Sequence, residues 1–187
     1  MTYRIIDLLF SSFFFIILLP FLILVGLLIK LETRGPIIHW SKRIGINETI
    51  FLMPKFRSMK INTPDVATHL MKNPDLYVTK FGKFIRKYSI DELPQLYSII
   101  KGDISFIGPR PALFNQYDLM KLRKEYGIDK IKPGLTGYAQ VMGRDNLSIE
   151  KKVRFEKFYA DNKNFFLDLK IIILTLQKII KTTNVTH

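Results

Sequence analysis

The sequence contains no cysteine, which excludes a disulfide framework, a thiolate zinc site and a cysteine nucleophile. It is also short of negative charge, with 16 acidic residues against 29 basic ones and a formal charge of +13. That excess favours anionic partners such as phospholipid headgroups, nucleotides, pyrophosphates or nucleic acid. Its three histidines, His39, His69 and His187, have no metal-ligand spacing and are read as surface or packing residues. There is no internal repeat and no low-complexity tract. No Gly-Lys-Ser/Thr follows the spacing of a Walker loop. Aromatic residues are not interleaved with basic ones as a base-stacking platform, which argues against nucleic acid. At 187 residues the chain has room for one modest domain and not comfortably two.

What the chain does have is a concentrated hydrophobic start. From Leu8 to Ile29 only Ser11, Ser12, Pro20 and Gly26 interrupt the apolar run, and a membrane helix needs ~20 such residues. A cleaved signal peptide fits poorly, because the run is too long and closes with Lys30-Leu31-Glu32. Pro20 removes one helical hydrogen bond and predicts a kink. Arg4 precedes the run while Lys30 and Arg34 follow it, so positive charge on both sides chooses no orientation. A single span and a helix that bends and returns to the same face both satisfy these residues. Near the C-terminus, Phe165 to Ile180 mixes large apolar residues with Asp168, Lys170, Gln177 and Lys178. It fits an amphipathic helix in the headgroup plane and equally a core helix of the domain. Trp40 follows the first membrane segment and reads as an interfacial tryptophan.

Between these pieces the pattern predicts mostly helix with little sheet. A strand is expected over Thr49 to Phe56, ended by Pro54, and a helix from Thr63-Pro64-Asp65 through Lys72. A basic helix is expected over Lys80 to Lys87, and another from Ser89 or Asp91 to Lys101, stopped by Gly102. Further helices are expected over Ala112 to Glu125 and Ser148 to Asn162. A glycine-rich loop with short extended pieces is expected over Lys132 to Arg144.

Three clusters could carry chemistry. In Ser89-Ile90-Asp91-Glu92-Leu93-Pro94-Gln95-Leu96, Ser89 and Glu92 have the spacing of a capping box. With Ser89 as cap, however, Pro94 falls just past the first turn, where its missing N–H begins to cost. A cap nearer Asp91 removes that conflict and sets Asp91 at the helix mouth. A carboxylate there can attack an activated phosphorus or bind Mg²⁺ together with substrate phosphates. In Gly108-Pro109-Arg110-Pro111, two prolines fix the backbone around an arginine, as suits a pyrophosphate clamp. Lys132 to Arg144 carries three glycines that allow close backbone approach to a ligand. Lys55 and Arg57 add two cations at the end of the expected strand. Taken singly, each cluster also has a plain structural reading: a cap, a rigid turn or a solvated charge.

In their order these strings closely resemble the bacterial sugar transferase family, the monotopic polyprenyl-phosphate phosphoglycosyl transferases. The resemblance rests on the apolar first helix, Lys55-Phe56-Arg57-Ser58-Met59, Arg86 through Leu96, Lys101 through Pro111 and Lys132 through Arg144. It implies an α+β, mostly helical fold: a re-entrant membrane helix over 1–33 and a small cytoplasmic catalytic domain over 34–187, with amphipathic interfacial helices and little sheet. It implies Asp91 as nucleophile and metal ligand, Glu92 completing a catalytic dyad, and Mg²⁺ as cofactor. Lys55, Arg57, Arg86, Arg110, Gln140 and Arg144 are the expected substrate-binding residues. The implied partners are a UDP-sugar, polyprenyl (undecaprenyl) phosphate and the phospholipid membrane, with no nucleic acid and with a homodimer allowed. The implied place is the cytoplasmic face of the bacterial inner membrane. The sequence departs from the family in three places. Leu19 precedes Pro20 where serine is common, Met142 replaces an asparagine, and Glu156 stands where an aspartate is common. Two rival functions remain at this stage: a membrane glycosyltransferase that releases UDP, and a basic membrane-anchored binding module.

Overall fold

The computed structural model describes residues 2–63, 73–143 and 146–181. Helix dominates, and the sheet among these residues is limited to two two-stranded pieces. The first helix, α1 (Thr2–Glu32), runs unbroken through Pro20, so the proline does not divide the run into two helices. Its inward stripe recurs at helical spacing along the whole length. Arg4 donates to the carbonyls of Ile99 and Ile100 at 2.5 and 2.6 Å, and Asp7 accepts the N–H of Phe106 at 3.2 Å. Ser11 is fully buried, and Phe15 and Leu18 pack against the core. Leu22, Val25 and Ile29 complete the stripe against Phe56 and Ile85. Both ends of α1 therefore rest on the same domain. Its other face leaves Leu9, Phe13, Ile16, Ile17, Ile23, Leu24 and Leu27 exposed. Among the described residues it is the one helix long and apolar enough to cross a membrane.

Strand β1 (Ile38–Ile44) pairs antiparallel with β2 (Ile50–Phe56), His39 opposite Lys55 and Trp40 opposite Pro54. β1 was not expected. The strand β2 also continues past Pro54, which a two-stranded sheet tolerates because each strand is an edge. Trp40 lies in β1 with its ring edge-on to Tyr97 at 6.5 Å. Alternation along β2 turns Phe51 and Met53 into the core with Leu96, Ile99 and Ile104. Lys55 continues that inward face, which delivers its ammonium into the protein.

The helix expected over Thr63-Pro64-Asp65 to Lys72 lies, from residue 64 on, outside the described residues. Helix α2 (Lys80–Lys87) is capped by Thr79, whose hydroxyl accepts the N–H of Gly82 at 2.9 Å. The next expected helix is divided: a 3₁₀ turn over Ile90–Gln95 leads into α3 (Leu96–Lys101). Gly102 ends α3 at φ +97°, a conformation glycine adopts without a side-chain clash.

Strand β3 (Ser105–Ile107) pairs in parallel with β4 (Gly134–Thr136). Between them lies α4 (Tyr117–Glu125), five residues shorter at its start than expected from Ala112. The reason is visible at Ala112, whose carbonyl accepts the N–H of Ile44 at 3.0 Å rather than a helical partner. After β4 come α5 (Tyr138–Met142), α6 (Ile149–Asn162) with Ser148 as cap, and α7 (Phe165–Lys181). Helix α7 is part core and part exposed apolar surface. Ile171 is buried with Ile107, Val141 and Tyr159, while Phe165, Phe166, Ile173 and Leu176 are exposed.

Candidate active site

The candidate site forms where three elements converge. β2 delivers Lys55, the 3₁₀ turn delivers Asp91 and Glu92, and the loop after β3 delivers Arg110. The turn starts from Ser89, a serine with left-handed backbone at φ 56°. Its side chain makes no capping bond, so the capping box that its spacing to Glu92 allows does not form. Its carbonyl instead accepts the N–H of Glu92 at 3.2 Å. The tighter 3₁₀ winding holds Pro94 and sets the two carboxylates in unlike surroundings.

Glu92 is clamped. Lys55 Nζ donates to its Oε1 at 2.9 Å, Arg110 Nη2 to the same oxygen at 2.5 Å, and Arg110 Nη1 to Oε2 at 3.3 Å. Burial alone would raise the Glu92 carboxyl, but Arg110 and Lys55 together hold it well below the usual carboxylate range. Burial lowers the Lys55 ammonium from its ordinary value, with Glu92 opposing that shift. Asp91 is only 8% exposed, yet no described group donates a hydrogen bond to it. Burial pushes its carboxyl up to about 6, opposed by Lys55 and reinforced by the neighbouring Glu92. The charges of Arg86 and Arg110 also act on Asp91 in the lowering direction.

The loop that carries Arg110 is held at every residue. Gly108 N–H donates to Thr136 O at 2.9 Å, and Pro109 O accepts from Gly134 N–H at 2.9 Å. Arg110 O accepts from Arg123 at 2.8 Å and Pro111 O from Arg43 at 3.1 Å. Two glycines of the glycine-rich segment serve this packing. A Cβ at Gly134 would collide with Gly108 N, and one at Gly137 with Gly108 O.

Of the expected site residues, Lys55, Asp91, Glu92 and Arg110 come together, with Arg86 acting on Asp91 through its charge. Arg57 is buried and turned toward the end of α1, where Nη2 donates to Thr33 O at 3.0 Å and to Thr33 Oγ1 at 2.6 Å. Gln140, on α5, reaches back to β4 through Nε2 to Leu135 O at 3.1 Å. Arg144 lies outside the described residues. Glu156 is not in the site. It pairs with Arg123 at 2.5 and 2.8 Å in the interior. Arg43 and Arg123 were not singled out from sequence. For Arg43 a weak signal existed: Ile37, Ile38, Trp40 and Ile44 lie in a short stretch bounded by Gly35-Pro36 and Gly45, as a strand can.

A buried carboxylate to which no described residue donates a hydrogen bond, beside one neutralised by two cations, is an arrangement for covalent or metal-assisted chemistry on an anionic substrate. Residues 1–182 match the bacterial sugar transferase family. The uncharacterized sugar transferase EpsL of Bacillus subtilis (strain 168) is 41% identical over 152 residues, 81% of this chain and 74% of that protein. The UDP-glucose:undecaprenyl-phosphate glucose-1-phosphate transferase of Klebsiella pneumoniae is 36% identical over 94% of this chain, which spans 39% of that longer protein. The exopolysaccharide production protein ExoY of Rhizobium meliloti is 33% identical over 94% of this chain and 84% of its own length. On the match that runs from Met1 to Thr182, the chain belongs to the bacterial sugar transferase family and is a transferase enzyme.

Proposed function

We propose that this enzyme transfers a phosphosugar from a UDP-sugar to polyprenyl phosphate, releasing UMP and giving a polyprenyl diphosphate sugar, at the start of a bacterial glycoconjugate pathway. The observation that carries this reading is the asymmetry of the two adjacent carboxylates. Glu92 is bound by Lys55 and Arg110, whereas no described residue donates a hydrogen bond to Asp91 in the same enclosed place. The names of relatives such as the Klebsiella pneumoniae and Komagataeibacter xylinus enzymes, both undecaprenyl-phosphate sugar phosphotransferases, support it.

An Asp91 carboxylate oxygen attacks the phosphorus that bears the sugar. The bond from that phosphorus to the bridging oxygen breaks, and UMP leaves with the electron pair. A phosphosugar-aspartyl intermediate remains. A phosphate oxygen of the polyprenyl acceptor then attacks the same phosphorus, and the bond to Asp91 breaks. Positioning and charge neutralisation supply most of the acceleration in such transfers. Arg110 is the cation best placed for this, since its backbone is fixed at each neighbouring residue and its guanidinium already lies beside the dyad. Glu92 holds Lys55 and Arg110 at the nucleophile.

The residues also fit Mg²⁺, which prefers one or two carboxylates plus substrate phosphates to an all-protein cage. Among the described residues Asp91 offers an oxygen that accepts no hydrogen bond, and no group of three or more acidic or histidine ligands occurs. When bound, the ion would offset charge on the donor pyrophosphate.

The same reading puts α1 in the cytoplasmic leaflet as a re-entrant element. Its two ends rest on one domain, and its outer face presents leucine, isoleucine and phenylalanine. Large contiguous apolar surface of this kind marks a membrane contact. The exposed apolar side chains of α7 would extend that contact along the interface.

The test is a panel of UDP-sugars with polyprenyl phosphate in detergent, read by nucleotide release. UMP release is the expected result. UDP release would instead mark a glycosyl transferase, and salt-sensitive RNA binding without turnover would mark a binding module.

A further inference from the structure

Arg123 and Glu156 form the most deeply buried ion pair among the described residues, with side chains 9% and 2% exposed. The contact is side-on: Arg123 Nε donates to Glu156 Oε2 at 2.8 Å and Nη2 to Oε1 at 2.5 Å. A side-on carboxylate fixes the plane of a guanidinium. With the plane fixed, Nη2 also donates to the backbone carbonyl of Arg110 at 2.8 Å. That carbonyl belongs to a residue flanked by Pro109 and Pro111, neither of which has an N–H to anchor the loop. The loop is held instead through its carbonyls, two of them gripped by arginine side chains from outside the motif, Arg123 and Arg43. At the other end of the same residue, the Arg110 guanidinium meets Glu92.

Desolvation makes a buried ion pair a poor device for stability alone. Apolar side chains of similar volume often do as well or better in its place. Its third hydrogen bond, to the Arg110 carbonyl, is what an apolar pair cannot reproduce.

We propose that Arg123 and Glu156 are positioning residues that hold the Arg110 backbone so that its guanidinium stays in register with Glu92 during transfer. Neither touches the dyad; both act through Arg110. The inference deepens the phosphosugar-transfer reading and rests on it.

The test replaces the pair by Arg123→Met with Glu156→Leu in the full chain in detergent, and reads melting temperature and UMP release. The expected result is a melting temperature close to that of the unmodified protein with kcat reduced by about tenfold to a hundredfold, the cost typical of slight misplacement. KM for the UDP-sugar should stay within about threefold, since the loss falls on transition-state positioning. The same two substitutions are then made on Arg110→Lys, where they should cost less than about threefold more, because the residue they position is already gone. Arg123→Lys, which keeps a charge partner for Glu156 but lacks the planar fork, is measured in parallel and should also lose kcat. It decides the matter where the apolar pair does not fold. Folded variants with unreduced kcat, or equal losses with and without Arg110, would overturn the positioning role. Absence of UMP release from the unmodified enzyme would instead overturn the transfer reading itself.

Discussion

Glu92 takes Lys55 at 2.9 Å and Arg110 at 2.5 Å on one oxygen, while the Asp91 beside it takes neither. This division of labour has a stability cost that can be measured. Asp91 titrates near 6 in the folded chain against 3.8 ordinarily. The folded state therefore holds a proton that the unfolded chain has already released. The contribution of this group to stability falls as pH rises from about 4 to about 6 and stays low above. Asp91→Asn should thus melt several degrees higher than the unmodified protein at pH 7.5, a gain of about 1–3 kcal/mol. Near pH 4 the two should converge, and thermal denaturation at both pH values checks this. The same variant should lose UMP release by at least about a thousandfold. With the attacking carboxylate needed in its charged form, kcat should rise with pH along a limb centred at about 6 in weakly coordinating buffer at low Mg²⁺. Higher Mg²⁺ should shift that limb downward, since a cation favours the charged carboxylate. Glu92→Gln leaves Lys55 and Arg110 enclosed without their counter-charge. It should cost about 3 kcal/mol of stability as well as most of the activity, as denaturation and UMP release would register.

At the scale of elements, legibility followed sequence distance. Helix α2, the stop at Gly102 and helix α6 rest on local signals: a capping hydroxyl at Thr79 or Ser148 and a left-handed glycine. The dyad and Arg110 were legible as clusters for the same reason. The union of Lys55 with Glu92 was not, because the two are 37 residues apart and only the inward face of β2 brings them together. The spacing to Pro94 spoke against Ser89 as a side-chain cap, but nothing in the sequence marked its left-handed backbone. Gly134 and Gly137 were read as ligand-approach positions, but the backbone that approaches them is Gly108, from a strand the sequence could not pair. Gly137→Ala should therefore displace the Gly108–Pro111 loop. It should lower stability by about 2 kcal/mol or more, on the scale of other overpacked sites. The apparent KM for the UDP-sugar should rise with it. Melting temperature and initial rates in detergent read both effects.

For the whole molecule, the telling feature is that α1 belongs to the core as much as to its surroundings. Phe15, Leu18, Leu22, Val25 and Ile29 pack into the domain while the opposite face is apolar and exposed. Periodicity could not reveal this, because a helix that is apolar all round has no visible face. The inner stripe is marked only by the sparse polar residues Arg4, Asp7 and Ser11. In the proposed reading, α1 faces lipid on its exposed side, and Asp91 receives both a soluble nucleotide sugar and a membrane-borne phosphate. The central claim is that Asp91 carries the phosphosugar between them. The direct test is to quench the enzyme after mixing with UDP-sugar and Mg²⁺ without acceptor, then map the adduct by peptide mass spectrometry. The account predicts one phosphosugar on Asp91, matched by one equivalent of UMP and discharged by polyprenyl phosphate. An adduct on another residue, or full turnover by Asp91→Asn, would contradict it.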